Sequence, residues 1–249
     1  NPKRYAMGLS ILGHLGFAGG EVAFIDQDVV VYLHGNGLAI SDLTDLANVG
    51  PTKFVTNNLE CPLGISAFTT SVPEHLVAFA PRSAEPCIHV LKYPQLDPLS
   101  VLRGGTDLEY ESIAISHNAK MLCAVSGPFD HHLYLWSLEI AQTLAKVAIG
   151  GNLATPCTWH NCSFSPKNSS MVCTGGSYGL VFWKVQVVND HKLQRINAVI
   201  GSQEDAAEDG NVLLDSISAQ CWTQNNLVLA VGRSSVMEFD AQSGILTRL

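Results

Sequence analysis

Ser112-Ile113-Ala114-Ile115-Ser116 is followed by the polar turn His117-Asn118-Ala119-Lys120, and then by a second apolar run, Met121–Val125. Gly127-Pro128-Phe129-Asp130 breaks the chain again, and Leu133-Tyr134-Leu135-Trp136 closes the unit. Runs of four or five residues rich in Val, Ile and Leu, bounded by Gly, Pro, Asn and Ser, read as short strands joined by turns. No helical periodicity lies between them.

The same cassette of strand, turn, strand, turn, strand occurs five times. The first runs from Val22–Ile25 through Val29–Leu33 to Leu38–Ile40, and the second from Ile65–Phe68 through Leu76–Phe79 to Cys87–Leu91. The fourth runs from Cys162–Ser165 through Met171–Thr174 to Leu180–Trp183, and the fifth from Gln220–Trp222 through Leu227–Val231 to Val236–Phe239. With Ile25, Phe68, Ile115, Phe164 and Trp222 as equivalents, the repeat steps are 43, 47, 49 and 58 residues. Repeats of this length mark radial or stacked architectures. Nearly continuous apolar strands need cover on both faces, as blades stacked around a propeller axis have. A two-sheet sandwich predicts one wet face and does not repeat a three-strand cassette five times. The expectation is an all-β propeller over residues 1–249, with blades ending near 41, 91, 136, 183 and 239.

Leu133-Tyr134-Leu135-Trp136-Ser137 and Leu180-Val181-Phe182-Trp183-Lys184 sit where a WD repeat carries its closing strand. Ser112–His117 and Cys162-Ser163-Phe164-Ser165-Pro166 resemble the inner strand and turn of the same repeat. The chain therefore resembles a WD40 propeller with degenerate repeats, over residues 15–245. No copy holds Trp-Asp itself, and Gly-His does not precede the inner strands, so the His–Asp network of standard repeats is expected to be largely absent. By the resemblance, a ring larger than five blades is implied. The tail Ser243–Leu249 then reads as the outer strand of an interrupted sixth blade, in a piece of a longer protein. Open blade faces of that kind predict association or dependence on a partner.

A narrower resemblance runs through Gly16-Phe17, Val22–Asp26, Val31–Asn36, Tyr93-Pro94-Gln95-Leu96 and Val101-Leu102-Arg103-Gly104-Gly105. Their order is similar to the N-terminal propellers of cilia- and flagella-associated WD-repeat proteins, in particular the paired tether (tether-head) proteins. The resemblance implies a cytoskeletal scaffold of the ciliary axoneme that tethers an inner-arm dynein to the doublet microtubule. Its implied partners are a paired ciliary WD-repeat protein, axonemal microtubule-associated proteins and inner-arm dynein components. A docking platform in another cytosolic assembly, or a propeller enzyme, are the alternatives.

Composition narrows the function from another side. Hydrophobic residues make up 47% and charged residues 14%, which excludes disorder. The net charge of −8 argues against nucleic acid and against a broad interface with acidic tubulin, which only a local basic patch escapes. No apolar run reaches membrane-spanning length, so no membrane partner is expected. Seven cysteines without a tight repeated spacing read as reduced, buried small hydrophobes of a cytoplasmic setting.

No catalytic residues, cofactor or metal are expected. His131-His132 beside Asp130 reads as a polar turn. Cys157, His160 and Cys162 fall short of a closed zinc tetrahedron, with only Cys162 on the inner strand. Gly104-Gly105 and Gly175-Gly176 read as turn glycines that open no helix, so they cradle no phosphate. The inner strands offer no carboxylate before Asp26, against the convergent set an enzyme needs. The chain therefore reads as a protein-docking module. The candidate partner-binding residues are His117, Asn118, Lys120, Pro166, Lys167 and Asn168 on one rim, with Glu204 and Asp205 in a long insert facing a basic partner.

Overall fold

The computed structural model describes residues 21–44, 51–55, 63–128, 130–149, 158–177, 179–188, 190–198 and 216–248. The described residues form five four-stranded antiparallel sheets and no helix. Blade 1 holds β1 (Val22–Asp26), β2 (Val29–His34), β3 (Gly37–Asp42) and β4 (Pro51–Phe54). Blade 2 holds β5 (Ile65–Ser71), β6 (Leu76–Pro81), β7 (Ile88–Lys92) and β8 (Asp97–Leu102). Blade 3 holds β9 (Tyr110–Ile115), β10 (Met121–Ser126), β11 (His132–Ser137) and β12 (Gln142–Ala148). Blade 4 holds β13 (Trp159–Phe164), β14 (Met171–Gly176), β15 (Gly179–Val188) and β16 (Asp190–Asn197). Blade 5 holds β17 (Ala219–Trp222), β18 (Leu227–Val231), β19 (Val236–Asp240) and β20 (Leu246–Arg248).

Each sheet is ordered by sequence from the inner strand outward, and the inner strands β1, β5, β9, β13 and β17 lie side by side in chain order. This is the propeller arrangement, with Ile25, Phe68, Ile115, Phe164 and Trp222 all on inner strands as the repeat predicts. Successive residues of one strand serve different inter-blade cores. In β10, Leu122 and Ala124 pack towards blade 2, while Cys123 and Val125 pack towards blade 4. That division is why the strand reads as an unbroken apolar run.

Every sheet is four-stranded, the blade size expected of such repeats, and continues past the third strand, beyond the expected blade ends near 41, 91, 136, 183 and 239. The outer strands lacked a signal because they are edge strands with polar composition, such as Asp97-Pro98-Leu99-Ser100 and Gln142-Thr143. Pro51 and Pro98 sit in such edge strands, where a missing N–H is tolerated. The tail requires a correction: Leu246 pairs with Phe239, so β20 is the outer strand of the fifth blade and not of a sixth. Gly175 and Gly176 likewise belong to β14 rather than to a turn. A Cβ on Gly176 would lie 2.2 Å from the Thr158 carbonyl oxygen, so the close strand approach demands glycine.

Polar links tie neighbouring blades at their inner strands. Thr70 Oγ1 donates to the Phe24 carbonyl at 2.6 Å, and Arg82 Nε meets Glu109 Oε2 at 3.2 Å. The Cys162 amide donates to Ser112 Oγ at 3.0 Å, and Trp222 Nε1 donates to Ser163 Oγ at 2.9 Å. The Tyr93-Pro94-Gln95-Leu96 turn, whose first peptide bond is cis, receives blade 1. There the Lys53 ammonium lies 5.4 Å over the Tyr93 ring and donates to the Pro94 carbonyl.

The expected loss of the polar network holds only in part. Trp183 Nε1 donates to Thr174 Oγ1 at 2.9 Å inside blade 4. In blade 3, Asp130 accepts from the Tyr134 hydroxyl at 3.0 Å and faces His132 Nδ1 at 2.9 Å. All three residues come from one hairpin, so the network is rebuilt locally and escapes a search for the standard Gly-His and Trp-Asp positions.

Candidate protein-docking site and the central channel

The turns after the five inner strands open at one end of the propeller. Two contacts between neighbouring turns place them there: His75 Nδ1 lies 3.7 Å from Asp26 Oδ2, and Ser165 Oγ donates to Asn226 Oδ1 at 2.5 Å. The candidate residues His117, Asn118 and Lys120 lie in the β9–β10 turn, and Pro166, Lys167 and Asn168 in the adjacent β13–β14 turn. The fold thus brings both groups to a shared rim.

Each turn is braced from within. Asn118 Oδ1 accepts from Ser116 Oγ at 2.8 Å and from the Lys120 amide at 3.2 Å. Ser165 Oγ accepts from the amides of Lys167 at 3.3 Å and Asn168 at 3.1 Å, and Asn168 Oδ1 accepts from the Ser170 amide at 3.0 Å. Asn118 and Asn168 therefore spend their side chains on holding the turns, while His117, Lys120, Pro166 and Lys167 stay exposed. Glu204, Asp205 and Cys157 lie outside the described residues.

Charge divides this end of the molecule. Blades 1 and 2 present Asp26, Asp28, Asp42 and Glu74, with Lys92 paired to Glu74 at 3.9 Å. Blades 3 and 4 present Lys120, Lys167, Lys184 and Lys192, none of which meets a carboxylate within 4 Å among the described residues. The last two stand on a β15–β16 hairpin that the sequence reading did not resolve. Pairing with β14 ends at Met171 opposite Lys184, whereas β15 and β16 continue to pair as far as Val188 opposite Asp190. The long Val-rich run Val185-Gln186-Val187-Val188 was the available signal.

Between the blades, the inner strands line an open cavity of about 600 Å³. Glu21, Glu111 and His160 line it, which corrects the reading that the inner strands offer no carboxylate before Asp26. The cause is a boundary shift: β9 begins at Tyr110 and β13 at Trp159, so Glu111 and His160 are strand residues. Glu21 is exposed, but partial desolvation by its surroundings in the channel raises its carboxyl above the ordinary value. His160 Nε2 faces Thr158 Oγ1 at 3.2 Å, and among the described residues no hydrogen bond or ion pair joins it to Glu21 or Glu111. A relay of nucleophile, base and orienting acid requires such links.

Among the described residues no group of three His, Cys, Asp or Glu side chains is placed to hold a metal ion. Cys162 is buried instead between Ser112 Oγ and the Cys123 carbonyl, 3.6 and 3.8 Å from its sulfur. Burial raises the thiols of Cys87, Cys123 and Cys173, as inert core cysteines require. Cys221 departs from the expectation and is exposed.

No model of a known protein family matches the chain. Over 209 residues, 83% of its length, the chain is 26% identical to cilia- and flagella-associated protein 43 of Xenopus laevis. Over 107 residues it is 30% identical to cilia- and flagella-associated protein 44 of Chlamydomonas reinhardtii. It spans only 12% and 6% of the lengths of these two relatives. In structure it is similar to the β-propeller domain of Cps50 (Swd1) from Myceliophteria thermophila, with a TM-score of 0.54, 12% identity, and coverage of 73% of this chain and 53% of that one. The chain is thus a WD40-type β-propeller that resembles one cilia- and flagella-associated protein over 83% of its length and a second over 42%.

Proposed function

We propose that the chain is a structural docking module of the cilium or flagellum, part of a scaffold that tethers an inner-arm dynein to the doublet microtubule of the axoneme. The observation that carries the ciliary reading is the similarity over 83% of the chain to a protein named for cilia and flagella, joined by a second such protein. A rigid propeller displaying braced polar turns suits docking, because many side chains are presented without remodelling the core. The partners are a paired ciliary WD-repeat protein, axonemal microtubule-associated proteins and inner-arm dynein components. The exposed turns His117–Lys120 and Pro166–Asn168 meet one of them, and Glu204 and Asp205 meet a basic surface.

Capture from isolated axonemes tests this reading. Tagged protein containing residues 1–249 is expected to recover tether and dynein components, and protein lacking them to lose part of that set. Equal recovery without the propeller removes it from the docking role. Recovery of a soluble metabolic or nuclear complex overturns the ciliary assignment.

A further inference from the structure

The chain's charge is segregated along its length. Residues 117–198 carry six Lys or Arg against three Asp or Glu, a net +3, within a chain of net −8. The residues before carry six against twelve, and those after carry two against seven. Folding turns this linear bias into a surface. Residues 117–198 make up most of blades 3 and 4, and their β9–β10, β11–β12 and β13–β14 turns and the projecting β15–β16 hairpin emerge at one end.

Four exposed lysines define that surface: Lys120, Lys167, Lys184 and Lys192. Lys184 stands opposite Gln194 and Lys192 opposite Gln186, so both lysines project from the same face of the hairpin as diagonal neighbours. Beyond the acidic turns of blades 1 and 2, Glu139 in blade 3 and Asp240 in blade 5 also lie at this end. Among the described residues neither of these two forms an ion pair with the four lysines, and Asp240 is occupied in capping the amides of Gln242 and Ser243 at 3.1 and 2.8 Å. Four lysines on one sector of an otherwise acidic protein, with no ion pair to any of them among the described residues, leave a local positive field that favours an external anion.

We propose that the rim of Lys120, Lys167, Lys184 and Lys192 docks an acidic segment of a protein partner. The inference rests on the docking role above and adds the chemistry of the partner. Charge complementarity selects the occupant. The acidic turns of blades 1 and 2 repel the same segment, so the rim also sets the direction from which it approaches. A protein segment fits better than a nucleic acid. Four spaced lysines on a chain of net −8 give a short positive field, not the dense basic face that polyphosphate binding uses.

Fluorescence anisotropy of the intact chain with a labelled glutamate-rich peptide tests this directly. A glutamine-rich peptide of equal length and a short single-stranded RNA serve as reference probes. The glutamate peptide is expected to bind, to weaken with added salt, and to lose about tenfold or more in affinity with Lys167→Glu plus Lys184→Glu. Arg233→Glu, which makes the same charge change in the exposed β18–β19 turn at the opposite end, is expected to change affinity less than about twofold. Lys120→Gln provides a milder variant, and an unchanged thermal melt establishes that each variant is folded. Equal binding by all folded variants, or tighter binding of the RNA or the glutamine peptide, overturns the proposal. Axonemal capture with the Lys167/Lys184 variant separates the two readings. Loss of a partner that the unaltered chain retains supports the acidic-segment inference, and unchanged recovery refutes it while leaving the docking role standing.

Discussion

Trp183 is fully buried, and its indole N–H donates to Thr174 Oγ1, itself buried. Truncation to alanine removes a large core side chain and leaves the threonine hydroxyl only its 3.5 Å bond to the Val181 carbonyl, so Trp183→Ala should cost about 3–5 kcal/mol in a urea melt. Trp136 is equally buried and should behave alike. A loss below about 1 kcal/mol in either variant is incompatible with this packing. Gly105 is a second sensitive position, because a Cβ there would lie 1.8 Å from the Tyr110 hydroxyl and 3.0 Å from the Trp136 ring. Gly105→Ala should therefore destabilise by about 1–3 kcal/mol through overpacking. Asp130 supplies a pH dependence. Burial pushes its carboxyl up, but hydrogen bonds from Thr106, Tyr134 and Ser126 and the charge of His132 together hold it below the ordinary aspartate range. The stability it adds is present above that range and is lost as pH falls through the lowered value. Thermal melts from neutral to acid pH should show this loss, and Asp130→Asn should flatten it.

Among the elements, the β15–β16 hairpin stands apart. The last link to β14 is the Val185 amide, which donates to the Ser170 carbonyl at 2.7 Å; beyond it the two strands pair only with each other and add no ladder to the blade. Replacing Gln186–Lys192 by a tight turn should leave the melting temperature within about 3 °C while removing one lysine of the rim. A large drop in melting temperature is the result against this. Hydrogen exchange should be slowest in the second strands, such as β10 and β14, which are paired on both edges and covered on both faces. Outer strands, paired on one edge within their sheet, should exchange first.

For the molecule as a whole, the first and fifth blades carry exposed apolar side chains. Phe24 is 52% and Val22 46% exposed on β1, and Val236 is 55% exposed on β19. Blade-sized sheets with such faces attract other chains. Light scattering at high micromolar concentration should therefore show association, which Phe24→Glu and Val236→Lys reduce. A monodisperse monomer that these substitutions do not alter is the contrary result. The charge pattern acts at the same scale, for one end is acidic over blades 1 and 2 and basic over blades 3 and 4. That division orients an approaching partner before any contact forms.

Strand identity was legible in the sequence because interior strands need apolar side chains on both faces, and the need repeats with every blade. Ile25, Phe68, Ile115, Phe164 and Trp222 could thus be aligned without coordinates. The rim residues were legible too, since turns announce themselves by residues such as Asn118, Pro166 and Asn168. Outer strands, by contrast, are half solvated and paired on one edge, so Asp97–Leu102 carried no pattern, and Leu246–Arg248, legible as an outer strand, was assigned to the wrong blade. Glu111 and His160 were missed because a one- or two-residue shift of a strand start decides whether a polar side chain lines the channel. The basic rim needed the tertiary structure for a plain reason. Lys120, Lys167, Lys184 and Lys192 lie up to 72 residues apart in the chain. Only radial stacking of blades 3 and 4 brings the four to one end, where their fields add.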